Sequence, residues 1–263
     1  MSAELDRETP MYDLTRFGLK EMTVCGASLR DLGGGADSME HVAARIVRHL
    51  YERVTEGPSN ARALALVRFY KTHGYEALEP PLRAVADRIL KGVPPPPDMK
   101  CLTLLASAGD EVAWNSRTAS VGHQVIPLPS AEVVSQLPMV AQLVRQFGLE
   151  ISDLVKPSPT LLVALGQKAF NVFHVAEVEG SAHVPAQDEF VRPYGIKSAL
   201  GFGGMLPSGD LFAVILFSRT PISRETATLF QTVALSVKLA VLPFAGGPVF
   251  RPDATREDAR ASP

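Results

Sequence analysis

Six histidines, two cysteines and scattered serines and carboxylates are this chain's stock of reactive side chains, and their spacing decides what chemistry is open to them. Cys25 and Cys101 stand far apart with no CxxC pair, so neither a zinc site nor a disulfide framework follows. Two buried, reduced thiols acting as small hydrophobes are expected. His41 and His49 share one amphipathic stretch at a separation of eight residues. On a helix that is about 80° around the axis and about 12 Å along it, too far apart to share a metal ion. His41 is expected to face solvent and His49 to sit at a boundary. No GxSxG elbow organises the serines and no HExxH organises the histidines. Gly33-Gly34-Gly35 lacks the Lys-Ser/Thr pair and preceding strand of a phosphate loop. Gly201-Phe202-Gly203-Gly204 lies inside a strand pattern, where a bulge or a close backbone approach explains it. A catalytic constellation is therefore not expected. What stands out instead is Glu111 to Pro129, a polar, irregular stretch carrying Trp114, Asn115, Arg117, His123 and Gln124. Long irregular segments inside compact domains are often functional, which makes this stretch the candidate wall of a pocket.

The elements that would position such a wall centre on Ile196 to Leu242. Ile196 to Leu206 and Leu211 to Ser218 are apolar runs separated by Pro207-Ser208-Gly209-Asp210, the chemistry of a hairpin turn. The second run is too continuously apolar for a half-wet strand and reads as a central strand covered on both faces. After Pro221, Ser223 can cap a helix from Arg224 to Leu242, stopped by Pro243. Phe230, Val233, Ala234, Val237 and Val241 form one stripe on it, and Leu235, Leu239 and Leu242 a second, nearly opposite. Two stripes imply one face on the sheet and one on a partner, which makes Leu235, Leu239 and Leu242 the candidate dimerisation residues.

Upstream, the apolar spacing predicts helices over Tyr12–Leu32 and, from a cap at Asp37-Ser38, over Met39–Val54. Ala61–Tyr70 and Lys100–Ser107 read as strands, with helix a rival for the first. Between them lie a short helix, Leu82–Leu90, and a stiff connector built on Pro94 to Pro97. Ser130–Phe147 reads as a helix kinked at Pro138, Phe170–Val178 as an alternating strand, and Pro185–Arg192 as a short helix. The expected class is α+β: a central antiparallel sheet flanked by helices, with the N-terminal helices and the terminal helix on one face. The expected divisions are a helical extension over 1–36, a domain over 37–244, and a flexible Gly/Pro-rich tail over 245–263.

The 263 residues suffice for a full core. With 26 basic against 28 acidic residues, nothing points to a nucleic-acid partner. The longest uninterrupted apolar runs fall short of the roughly 20 residues of a bilayer span, and MSAELDRETP does not read as a signal peptide. A soluble, cytoplasmic protein without a membrane partner is expected.

The blocks FNVFHVAEV, VPAQDEFVRPYGIKSALGFGGMLPSGDLFAVILFS and PISRETATLFQTVALSVKLAVLPF resemble a GAF-like module at the front of multidomain sensor histidine kinases, and the likeness extends upstream through DMKCLTLLASAG and GHQVIPLPS. The resemblance implies a non-catalytic sensory domain whose pocket lies over one sheet face, under the loops and short helices joining the middle strands. Residues that would line it are Trp114, Arg117, His123, Gln124, His174, Gln187, Glu189 and Tyr194. It brings no established ligand, so the cofactor is left unknown. Haem is disfavoured because a lone strand histidine is more often packing than a ligand, and neither cysteine stands where a bilin would attach. The NKFDE-type set of cyclic-nucleotide-binding relatives and the grouped cysteines of methionine-sulfoxide-reducing relatives are both missing from the sequence. No kinase glycine boxes or phosphoacceptor helix are found, so the expected partners are a small molecule, a second copy of the chain, and a signalling kinase or other output protein in trans. A ligand-free dimerisation scaffold is the alternative, with the pocket packed solid by Trp114, Phe173 and Phe202; an unrecognised enzyme comes third.

Overall fold

A computed structural model describes residues 10–57, 60–120, 123–156 and 171–251. Tyr12–Asp13 is a short strand (β1) rather than the start of a helix, and α1 runs from Leu19 to Asp31. The break falls at Gly18, which is extended and donates its amide to Glu21 Oε2 at 3.0 Å, fixing the first turn of α1. In α2, Met39–Arg53, the Ser38 hydroxyl accepts the His41 amide at 3.2 Å, and the expected stripe from Met39 to Leu50 is buried. There follow β2 (Val54–Glu56), β3 (Ala61–Arg62), β4 (Leu64–Gly74), α3 (Pro80–Leu90) and β5 (Lys100–Gly109).

Within the stretch expected to be irregular, Val125–Leu128 forms a strand, β6. It occupies a sheet edge, the position where Pro127 costs no ladder hydrogen bond to a second neighbour. The predicted kinked helix is two helices, α4 (Ala131–Ser135) and α5 (Pro138–Gln146), because Pro138 takes the first position of a new helix. Then come α6 (Ile151–Val155), β7 (Phe173–Val175), a single π-type turn over Gln187–Val191, the hairpin β8 (Ser198–Met205) and β9 (Leu211–Ser218), and α7 (Arg224–Val241). Phe170, the first residue of the strand predicted around β7, lies outside the described residues.

The protein is of mixed α+β class. Its main sheet has the order β6-β5-β4-β9-β8-β7, with every neighbouring pair antiparallel. A small sheet, β1-β2-β3, sits apart. Strand alternation sends Val67, Phe69, Val214 and Leu216 to one face, where they meet α1, α2 and α7 in the larger core. Leu66, Tyr70, Ala213, Ile215 and Phe217 go to the other face, which α4, α5, α6 and the 184–191 segment cover. The β8–β9 register runs without a shift, so the glycines of β8 mark a close approach rather than a bulge.

α1 lies along α7 with Gly26 against Ser236 and Gly33 against the backbone of Ala240; a Cβ on Gly33 would stand 2.6 Å from the Ala240 carbonyl oxygen. The segment after α7 was expected to be free from Ala245 onward, yet Pro248, Val249 and Arg251 dock on the head of α2. The orphan amides at the head of α2 supply the reason: those of Met39 and Glu40 donate to the carbonyls of Pro248 and Val249 at 3.1 and 2.8 Å. The rest of the predicted tail, 252–263, lies outside the described residues. Counted as a helix rather than as an unbroken apolar run, 224–244 is long and apolar enough to cross a membrane, with mean hydropathy 1.5. In this fold Phe230, Val233, Val237 and Val241 of that helix are buried in the core.

Candidate functional site

Between the second face of the sheet and its cover lies a cavity of about 430 Å³. β4 and β9 make the floor because both are central strands whose alternate residues point the same way: Leu66, Arg68 and Tyr70 from one, Ala213, Ile215 and Phe217 from the other. α5 makes the roof with Met139, Val140, Leu143 and Val144, the apolar stripe of a short amphipathic helix begun at Pro138. Trp114, His123, Glu189 and Phe190 complete the wall.

An aromatic group shapes one side. Trp114 stands 5.5 Å from Phe190 at 73° and 4.6 Å from Tyr194, and Phe190 meets Phe217 edge-on at 4.9 Å. The Trp114 loop is fixed by Asn115, whose amide donates to Gly109 O at 2.8 Å while its carbonyl accepts the Gly109 amide at 3.2 Å. The wall is thus a fastened turn at the end of β5.

Three of the eight residues put forward from the sequence line this cavity: Trp114, His123 and Glu189. Tyr194 stands behind Trp114, its hydroxyl donating to Glu111 Oε1 at 2.9 Å. Arg117 turns toward the other side of the molecule, with Nε 2.7 Å from Glu40 and Nη2 3.0 Å from Glu79. Gln124 donates to the Thr118 carbonyl within its own loop. His174 ties β7 into the fold: its amide donates to Gln146 Oε1 at 2.7 Å and its Nε2 bonds the Ile222 carbonyl at 2.9 Å. Burial lowers the His174 pKa, and the Ile222 bond only partly opposes it. Gln187 staples its own loop, accepting from the Gly180 amide at 2.9 Å and donating to the Val178 and Val184 carbonyls at 3.0 and 2.6 Å. Leu235, Leu239 and Leu242 lie on the outward side of α7, 49%, 52% and 37% exposed.

Sequence reasoning missed Arg68. It sits mid-strand in the floor, 8% exposed, donating from Nη1 to Tyr70 Oη at 3.4 Å and from Nη2 to Ser120 Oγ at 3.1 Å. Its Nε has no partner, and no carboxylate pairs with it among the described residues. Burial raises the Tyr70 pKa, with the Arg68 charge pulling the other way. The signal in the sequence was a charge inside the apolar run LALVRFY, flanked at i−2 and i+2 by residues that share its face.

The remaining reactive groups are quiet. Burial pushes the thiols of both Cys25 and Cys101 up to about 12, which leaves them protonated and poorly nucleophilic. His49 sits 3.0 Å from the Tyr12 hydroxyl, and burial lowers its pKa to about 4. Among the described residues no three His, Cys, Asp or Glu side chains are grouped to hold a metal ion.

Fold and cavity together define an α+β protein with a single-sheet floor under an apolar chamber. No protein-family model matches the chain, and no curated protein matches it either.

Proposed function

We propose that this chain is a non-catalytic, GAF-like sensory or regulatory module of the cytoplasm, which binds a small molecule in the cavity under α5 and signals through a dimer formed by its terminal helices. The observation that carries the reading is the chamber itself: about 430 Å³, apolar on nearly every side, with a few polar groups converging on it. A ligand-free scaffold would have closed that space with Trp114, Phe173 and Phe202. Phe202 instead packs on the opposite face, 5.3 Å from Phe230, and Trp114 lines the cavity without filling it.

β9 supplies the route from ligand to output. Ile215 and Phe217 face the cavity while Val214 and Leu216, between and beside them, face the helix layer that contains α7. A ligand that contacts the floor differently in two packings of sheet and helices shifts the population between them. α7 then presents Leu235, Leu239 and Leu242 in one of two orientations to a second copy, and a signalling kinase or other output protein reads the dimer.

The test is a small-molecule library screened by thermal denaturation against the wild type and Ala213→Phe, which places a ring in the cavity. Compounds that raise the wild-type midpoint and leave the filled variant unmoved are expected. Stabilisation of both proteins alike, or of neither by any compound, contradicts the proposal.

A further inference from the structure

The cavity has an apolar chamber and a cation at its floor, and the two together define a class of ligand. Arg68 is more than nine-tenths buried and lines the cavity with a planar guanidinium cation. A buried guanidinium with no counter-charge is costly because its desolvation is not repaid by attraction. Among the described residues its partners are two neutral hydroxyls, on Tyr70 and Ser120, and its Nε has none.

The surroundings match an oxyanion. Tyr70 Oη and Ser120 Oγ accept hydrogen bonds from Arg68, so each keeps its own proton to donate elsewhere. Ser107 lies directly across from Arg68 on β5, and cross-strand partners share a sheet face. Its hydroxyl too is buried, with no partner among the described residues. Arg68 and Tyr70 therefore bring a guanidinium fork and a hydroxyl proton to the cavity floor, with Ser120 and Ser107 behind them. His123 and Glu189, also in the described lining, are exposed, and the Glu189 carboxylate repels a like charge held at the rim.

We propose that the cavity takes a monoanionic amphiphile, an apolar body ending in a carboxylate that pairs with Arg68 and accepts from the Tyr70 hydroxyl; this rests on reading the cavity as a ligand site. One planar cation suits one carboxylate, which a guanidinium binds through two parallel hydrogen bonds. A dianionic phosphate would bring a second charge that no other buried cation in the lining meets. The apolar roof of α5 then covers the body, which excludes small inorganic anions as the preferred occupant.

The chain has one tryptophan, Trp114, and it lines the cavity, so its fluorescence reads occupancy without a label. Octanoate and benzoate are titrated against their uncharged counterparts, octanol and benzyl alcohol, on the wild type and on Arg68→Met. The wild type is expected to bind at least one acid roughly 10- to 100-fold more tightly than its alcohol, the range for a hydrogen-bonded charge. Arg68→Met is expected to lose that preference while keeping the alcohol. The wild-type ratio stands even if the variant fails to fold, which its far-UV circular dichroism shows. Equal binding of acid and alcohol by the wild type, or a preference that survives in folded Arg68→Met, overturns the carboxylate assignment and leaves the ligand site intact. Silence from all four probes at millimolar concentration overturns both.

Discussion

Gly203 of β8 lies so close to Phe212 of β9 that a Cβ added to it would overlap the Phe212 carbonyl oxygen. The obstruction is backbone, which cannot rotate away as a flexible side chain can. Gly203→Ala must therefore spread the hairpin that forms part of the cavity floor. The expected loss is on the order of 3 kcal/mol, at the upper end for overpacking, read as a shift in the denaturant midpoint. A variant within experimental error of the wild type would show that the strands are further apart than described.

Asp210 closes on two lysines beside the β8–β9 turn, 2.7 Å from Lys71 Nζ and 3.0 Å from Lys100 Nζ. Burial by itself would raise the Asp210 pKa, but the two ammonium groups outweigh it and hold the carboxyl below its usual range. Burial lowers the Lys71 pKa, with the attraction of Asp210 only partly offsetting it. The desolvation cost thus shows on the lysine and the attraction on the carboxylate. A carboxyl with a depressed folded pKa contributes stability that is present above its unfolded value, about 4, and lost as pH falls through the folded one. Wild-type stability should decline on acidification through that window, and Asp210→Asn should lack this component. At neutral pH the variant should be about 3 kcal/mol less stable, since buried Lys71 keeps a charge without a counter-ion. Equal stability of the two proteins at neutral pH would contradict this.

Arg117 fastens parts of the chain that are distant in sequence. It bridges Glu40 at the start of α2 and Glu79 ahead of α3, and its guanidinium lies 4.7 Å from the Phe250 ring centre. Arg117→Ala should cost roughly 1.5–3 kcal/mol, the range for hydrogen bonds to charged groups, and leave the Trp114 response to cavity ligands unchanged. Ligand affinity that falls with the mutation while stability holds would return Arg117 to the binding site.

Much of the sheet was legible because its signals are local. Pro207 to Asp210 announces the hairpin turn, Ser38 the head of α2, and the unbroken run LFAVILFS a strand covered on both faces. β6 was hidden because four residues containing Pro127 carry almost no strand signal, and only the neighbouring edge of β5 makes them one. The separation of α4 from α5 turned on whether Pro138 kinks a helix or begins one, which the packing of α5 over the sheet decides. The site was legible as a place and less so as a set of residues. Trp114 and His123 come from the stretch that drew attention by its irregularity. Arg117 shares that stretch, but its partner Glu40 lies 77 residues away in the chain. Arg68 reads locally as a strand residue, and its isolation appears only once Ser120, 52 residues later, is folded beside it.

Leu235 and Leu239 are about half exposed on a helix whose opposite stripe is wholly buried. Replacing both with glutamine should weaken self-association by at least tenfold in sedimentation velocity, since each apolar side chain buried in an interface is worth about 1.5–3 kcal/mol. The circular dichroism spectrum and thermal midpoint should scarcely move. A wild type that sediments as a monomer at every concentration would remove the dimer from the account.

The measurement closest to the central claim is a native mass spectrum of the protein released directly from cells, with Ala213→Phe alongside. A dimer carrying a discrete extra mass, with that mass missing from the filled variant, is the predicted result. The extra mass also gives the size of the occupant. A bare monomer, or an added mass that Ala213→Phe retains, would contradict a ligand held in the cavity under α5.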